Sequence, residues 1–147
     1  MVIQRVKTAE VTVAGKMRGT IGRGMLVLLG VEKGDSEKDI YYLASKILAL
    51  RIFEDNASKM NLSIQDIAGE IMVVSQFTLL GDCRKGRRPS FSDAALPHIA
   101  NELYNVFISC ISKVGLKVAS GEFQAVMEVH LINDGPVTFL LDSRKRL

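Results

Sequence analysis

At 147 residues and 16.2 kDa the chain has the length of one ordinary domain, long enough to bury roughly two-thirds of the surface it exposes when unfolded. Its 48% apolar and 24% charged residues exclude a disordered chain, and its two cysteines, Cys83 and Cys110, exclude a disulfide scaffold and argue against a zinc site because they have neither CxxC spacing nor a histidine cluster nearby. The net charge of +3 excludes a uniformly cationic chain.

The start, Met1-Val2-Ile3-Gln4-Arg5-Val6, has no basic segment followed by an apolar one, so no signal peptide is read and a cytoplasmic location is expected. Val2 to Val13 reads as a strand, Ala14-Gly15-Lys16 as a turn and Met17 to Ile21 as a returning strand. Met25 to Val31 is a continuous apolar run, the pattern of a strand buried on both faces, and far too short to span a bilayer. Gly34-Asp35-Ser36 supplies a helix start with Asp35 or Ser36 as N-cap. Ile40, Leu43, Ala44, Ile47 and Leu48 then recur at helical spacing. Glu54 to Ser58 reads as a polar loop, Glu70 to Leu79 as a strand, and Leu80 to Ser90 as a long loop. Pro97 suits the first turn of a second helix, whose apolar stripe runs Ile99, Leu103, Val106, Phe107, Cys110, Ile111 and Val114, with Gly115 beyond its end. Glu122 to Ile132 and Val137 to Leu141 read as two strands joined by Asn133-Asp134-Gly135-Pro136. No repeat or linker interrupts residues 1–147, so a single α/β domain is predicted, with a mixed or antiparallel sheet and two long helices. The order does not alternate strictly as βαβ, which disfavours a doubly wound fold.

Charge is concentrated. Seven of the nineteen basic residues lie in Arg84-Lys85-Gly86-Arg87-Arg88 and Arg144-Lys145-Arg146, and the remaining twelve are outnumbered by sixteen acidic ones. Basic segments on an otherwise acidic domain suit a local anionic partner such as a phosphate backbone; a solvated loop and a frayed tail are the simpler reading. The usual catalytic machinery is missing. There is no dinucleotide or P-loop fingerprint and no GxSxG elbow, and the histidines, His98 and His130, read as surface residues. Two segments are chemically unusual. Ser75-Gln76-Phe77-Thr78-Leu79 puts three hydrogen-bonding side chains directly after buried-type strand residues. Each would cost about 1–3 kcal/mol if buried unpaired, so the segment is either the rim of a polar pocket or a strand leaving the core. Asn133-Asp134-Gly135-Pro136-Val137-Thr138 is strong turn chemistry. It reads either as a plain hairpin turn or as a fixed backbone corner presenting carbonyls to a ligand.

Together these two segments resemble the paired signature motifs of the D-aminoacyl-tRNA deacylases of the Gly-cisPro type. The likeness extends over nearly the whole chain through Gln4-Arg5-Val6, Gly30-Val31-Glu32, Arg51-Ile52-Phe53, Lys59-Met60-Asn61-Leu62 and Arg88-Pro89-Ser90-Phe91. Neither motif departs from the pattern; the tail from Asp142 is less characteristic. The resemblance implies a β-barrel-like sheet with two flanking helices. It implies hydrolysis of the ester joining a D-amino acid to the 3′-terminal adenosine of tRNA, with glycyl-tRNA also accepted. It further implies a homodimer with its active site at the subunit interface, where a cis Gly135–Pro136 peptide of one subunit faces Ser75, Gln76, Phe77 and Thr78 of the other. Arg5 and Asn133 are expected to support that corner, and Lys85, Arg87 and Arg88 to contact tRNA phosphates. Thr78 is either a nucleophile or a positioning group. No metal or cofactor is expected, so activity should survive chelation. A related branch with a trans Gly-Pro, which clears L-alanine, carries a different strand motif. The alternative is a non-catalytic nucleic-acid-binding module of the same fold.

Overall fold

The computed structural model describes residues 1–146; Leu147, the last residue of the domain expected over 1–147, lies outside the described residues. Strand β1, Val2–Val13, organises the sheet. One of its edges carries β2, Lys16–Ile21, and β3, Gly24–Leu29, both antiparallel to it. Strand β4, Phe53–Glu54, and β5, Met60–Leu62, form a separate small hairpin whose turn holds most of the Glu54 to Ser58 segment read as a polar loop. Its turn is closed by Asp55, whose carboxylate accepts from the Ala57 and Lys59 N–H groups. Strand β6, Glu70–Ser75, runs parallel to β3, and β7, Val118–Ser120, parallel to β6. The long β8, Glu128–Leu140, pairs antiparallel along the other edge of β1. A Cβ on Gly19 in β2 would lie 3.2 Å from both the Ala119 Cβ and the Ser120 carbonyl in β7. The sheet therefore curls until β2 nearly meets β7, a nearly closed, mixed, barrel-like sheet.

Helix α1, Glu37–Ala49, is capped by Ser36, whose N–H donates to the Asp39 carboxylate at 2.8 Å. Helix α2, Pro97–Ser112, begins with proline where a missing N–H costs nothing. The helices cover one face of the sheet. There Ile40, Leu43 and Ile47 of α1 and Leu103, Phe107 and Ile111 of α2 pack with Met25, Val27, Ile71 and Val73. The opposite face closes on itself around Val6, Val11, Leu26, Met72 and Val74. Alternate residues of β3 and β6 thus enter two different cores, which explains their unbroken apolar runs. In β1 the register against β8 slips between Val6 and Thr8. Ile3 accordingly faces the helices while Val11 faces the barrel interior, although simple alternation would put both on one side.

Several boundaries differ from expectation. The strand read over Glu70 to Leu79 stops at Ser75, and Phe77–Leu80 forms a 3-10 turn. Residues 122–127 are not strand. Asn133 to Pro136 is not a hairpin turn, because β1 pairs antiparallel with the chain on both sides of it: Val6 opposes Asn133 and Gln4 opposes Thr138. The extra residues bulge out of one continuous strand. On α2 the buried stripe includes Tyr104, whereas Ile99 and Val114 are exposed.

Candidate active site

The parallel pairing of β3 with β6 ends at Leu29 and Ser75. The Gln76 N–H still donates to the Leu29 carbonyl at 2.8 Å, after which the chain turns away. The turn packs tightly on Gly30, where a Cβ would sit 3.1 Å from the Gln76 carbonyl and 3.2 Å from the Leu79 Cβ. Ser75, Gln76 and Phe77 thereby line a cleft of roughly 530 Å³ whose other walls include Val31, Ala95 and Met127. The Phe77 ring is 56% exposed and meets the Phe91 ring edge-on, centroids 5.0 Å apart. The Gln76 amide donates to the Thr78 hydroxyl. No carboxylate or imidazole hydrogen-bonds to that hydroxyl among the described residues. The N–H groups of Phe77 and Thr78 donate to no carbonyl of the described residues. Both lie at the start of the 3-10 turn, where N–H groups are left over.

The second signature segment is a stapled corner. Asn133 Oδ1 accepts from the Val137 N–H at 2.8 Å, and its amide donates to the Thr138 hydroxyl at 3.2 Å. Between these ties the Gly135–Pro136 peptide is cis and exposed to solvent. Gly135 has φ +140°, and a Cβ there would lie 2.6 Å from Val137 Cγ2; only glycine fits. Arg5 is buried beneath the corner, not solvated. Its Nε donates to the Asp134 carbonyl at 2.9 Å and its Nη1 to the Ile52 carbonyl at 2.8 Å, with the Asp134 and Glu54 carboxylates each 3.6 Å away. The bonded carbonyl is thus that of Asp134, one residue before the Gly-Pro pair. The corner forms no part of the cleft wall in its own chain.

The basic segments separate into two kinds. In the loop after the 3-10 turn, Asp82 and Ser90 pair across the base. Arg84 is bound by Asp82, whose carboxyl is pulled down to about 2 by hydrogen bonds from the Arg84 side chain and backbone. Lys85, Arg87 and Arg88 are exposed and form no ion pair among the described residues. The tail is docked, not frayed: Arg144 and Arg146 pair with Glu32, Asp35 and Asp142. His98 and His130 are exposed, and neither hydrogen-bonds to Ser75 or Thr78. Among the described residues no group of three His, Cys, Asp or Glu is arranged to hold a metal. No helix is long and apolar enough to cross a membrane. Sequence spacing carried no sign of Ile52, Glu54 and Asp134 around Arg5, or of Ala95 and Met127 in the cleft wall, because their neighbours are distant in the chain.

A family profile described as D-Tyr-tRNA(Tyr) deacylase matches residues 2–142. The chain is 59% identical over 145 residues to a D-aminoacyl-tRNA deacylase of Halothermothrix orenii, covering 99% of this chain and 97% of that one. It is 61% identical over 144 residues to a protein of the same name from Thermosipho africanus, covering 98% and 97%. Among solved structures it superposes on a c-Myc DNA unwinding element binding protein with TM-score 0.90 and 43% identity, covering 96% of each chain. A probable eukaryotic D-amino acid tRNA deacylase superposes with TM-score 0.80 at 18% identity, covering 94% and 95%, a likeness of fold alone. Barrel, cleft and corner thus belong to a hydrolase. The chain is a member of the D-Tyr-tRNA(Tyr) deacylase family.

Proposed function

We propose that this chain hydrolyses the ester of D-aminoacyl-tRNA at a site built by two subunits. The deacylation follows from full-length likeness to relatives of that name. The finer reading is carried by one observation: the Gly135–Pro136 corner is firmly held by Arg5 and Asn133, yet it is exposed and forms no part of the wall of the Ser75–Phe77 cleft of its own chain. A structure so constrained suits work on a second molecule. In this reading Gly135 and Pro136 of one subunit close the cleft lined by Ser75, Gln76 and Phe77 of its partner, with Thr78 beside it, outside the cleft wall. Val126, Ile132 and Leu140, exposed on or beside β8, supply apolar surface for a second copy to cover.

Selectivity then comes from exclusion. Carbonyls of the corner crowd one side of the substrate's α-carbon, where an L side chain would collide. A D side chain points out of the cleft, and glycine, with none, passes. Hydrolysis adds water across the ester, breaking the acyl–oxygen bond and returning the amino acid and the free 3′ end. The unpaired N–H groups of Phe77 and Thr78 are suited to the developing oxyanion. The terminal ribose 2′-OH helps to activate water, and Gln76 and Thr78 position the ester. The Phe77 ring offers a face to the adenine. Lys85, Arg87 and Arg88 contact phosphates without reading sequence, and the enzyme works in the cytoplasm.

The test is deacylation of D-Tyr-tRNA and L-Tyr-tRNA side by side. Loss of the D ester alone is expected. Loss of both would keep an esterase and end the exclusion argument. A second reading, a nucleic-acid-binding module without turnover, draws on the exposed basic loop and the DNA-binding protein at 43% identity. A gel shift of tRNA with both esters intact would favour it.

A further inference from the structure

The family profile ends at residue 142, yet the chain continues and its tail is bound to the body. Arg144 Nη2 donates to the Asp35 carboxylate at 2.8 Å and to the Lys33 carbonyl at 2.9 Å, while Nη1 lies 3.3 Å from the Glu32 carboxylate. Arg146 meets Glu32 through both terminal nitrogens, one at 3.1 Å, and Asp142 through Nε at 2.8 Å. The three carboxylates are mostly buried, with 17%, 13% and 15% of the Glu32, Asp35 and Asp142 side chains exposed. Without the two guanidinium groups only the Met1 ammonium, beside Asp142 and Asp35, would offset them among the described residues, and removing one side of such a cluster is costly.

The segment they hold forms part of the cleft. Glu32 bridges Ala94, the Lys33 N–H donates to the Asp93 carbonyl at 2.9 Å, and the Ala95 N–H donates to the Val31 carbonyl at 3.0 Å. Val31, Ala94 and Ala95 are cleft wall, facing Ser75, Gln76 and Phe77. We propose that Arg144 and Arg146 are positioning residues, and that the tail clamps the 31–35 turn and so sets the width of the substrate cleft. The clamp as a device for substrate binding rests on the deacylase reading; its mechanical part does not.

Two measurements test it on the full chain, on a chain ending at Asp142, and on an Arg144→Gln/Arg146→Gln variant. The first is amide hydrogen exchange without substrate. Lys33 and Ala95 are expected to exchange at least about tenfold faster in both altered proteins, with the β1 amides unchanged. The second is hydrolysis of a D-aminoacyl adenosine, which carries no phosphate and so leaves the basic loop nothing to bind. KM is expected to rise about tenfold with kcat within about twofold, the pattern of weakened binding common to ground and transition states. Unchanged exchange at Lys33 and Ala95 would overturn the clamp. Faster exchange with unchanged KM would overturn its role in the cleft, as would an equal loss of kcat. If the unaltered chain hydrolyses no D ester, the deacylase reading fails, and with it the substrate role; exchange alone then decides whether the tail holds the turn.

Discussion

Replacing Arg5 with alanine should uncouple the Gly-Pro corner from the rest of the molecule. The guanidinium is buried and bridges two carbonyls, those of Asp134 and Ile52, at 2.9 and 2.8 Å. Truncation strands both acceptors and leaves the Asp134 and Glu54 carboxylates without their cation. Water takes up the carboxylates, which are 31% and 48% exposed, so the cost, about 3–5 kcal/mol in all, comes from the two stranded carbonyls at about 1–3 kcal/mol each and the lost packing of the buried stem. For a domain of this size each kcal/mol shifts the melting midpoint by about 2–4 °C, so a drop of roughly 6–20 °C is expected. Arg5→Lys keeps the charge but reaches only one carbonyl, so it should lose about 1–3 kcal/mol. Urea unfolding with an unchanged m-value measures both losses. In the deacylase reading, the same variants should begin to hydrolyse L-Tyr-tRNA while retaining activity on the D ester, because the corner that rejects the L side chain has lost its support. An Arg5→Ala protein that melts within about 2 °C of the unaltered chain and still ignores the L ester would refute the reasoning.

Gly24→Ala should not yield folded protein: the new Cβ would lie 1.8 Å from the Glu70 carbonyl, backbone that cannot move without breaking the β3–β6 pairing, and soluble yield with circular dichroism reads the outcome. Combined Lys85→Ala, Arg87→Ala and Arg88→Ala substitution should raise KM for D-Tyr-tRNA more than it lowers kcat. The dependence of log KM on log salt should flatten by about 0.7–0.9 for each phosphate the protein no longer neutralises, and an unchanged slope would remove these residues from the tRNA interface. Tyr104→Phe should cost about 1 kcal/mol by urea unfolding, since the buried phenol donates to the Val73 carbonyl at 2.9 Å. Burial raises the Tyr104 pKa to about 12 in the folded chain against 10.0. The folded state therefore keeps a proton that the unfolded state loses, and this contribution, full below pH 10, fades as pH rises toward 12. Tyr104→Phe should blunt that alkaline loss.

Much of this protein was written in local order. The strand at Val2–Val13, the Ser36 cap, the period of α1 and the proline start of α2 all depend on interactions within a few residues, which spacing and side-chain type report directly. The two signature segments were visible as chemistry out of place. Their shapes were not. Nothing local distinguishes Asn-Asp-Gly-Pro in a hairpin from the same residues bulging out of a continuous strand; the pairing of β1 with β8 on both sides decides it, and β1 lies more than a hundred residues away. The strand after Glu70 ends at Ser75 because its partner β3 ends at Leu29, a limit set by the neighbour. Composition alone makes the tail look like a loose basic end; it becomes a clamp only when folding brings Glu32 and Asp35 beneath it. Sequence by itself determined the elements, the apolar faces and the residues fit for chemistry. Only the tertiary structure decided which polar groups meet, because a hydrogen bond or ion pair depends on distances between segments that are remote along the chain.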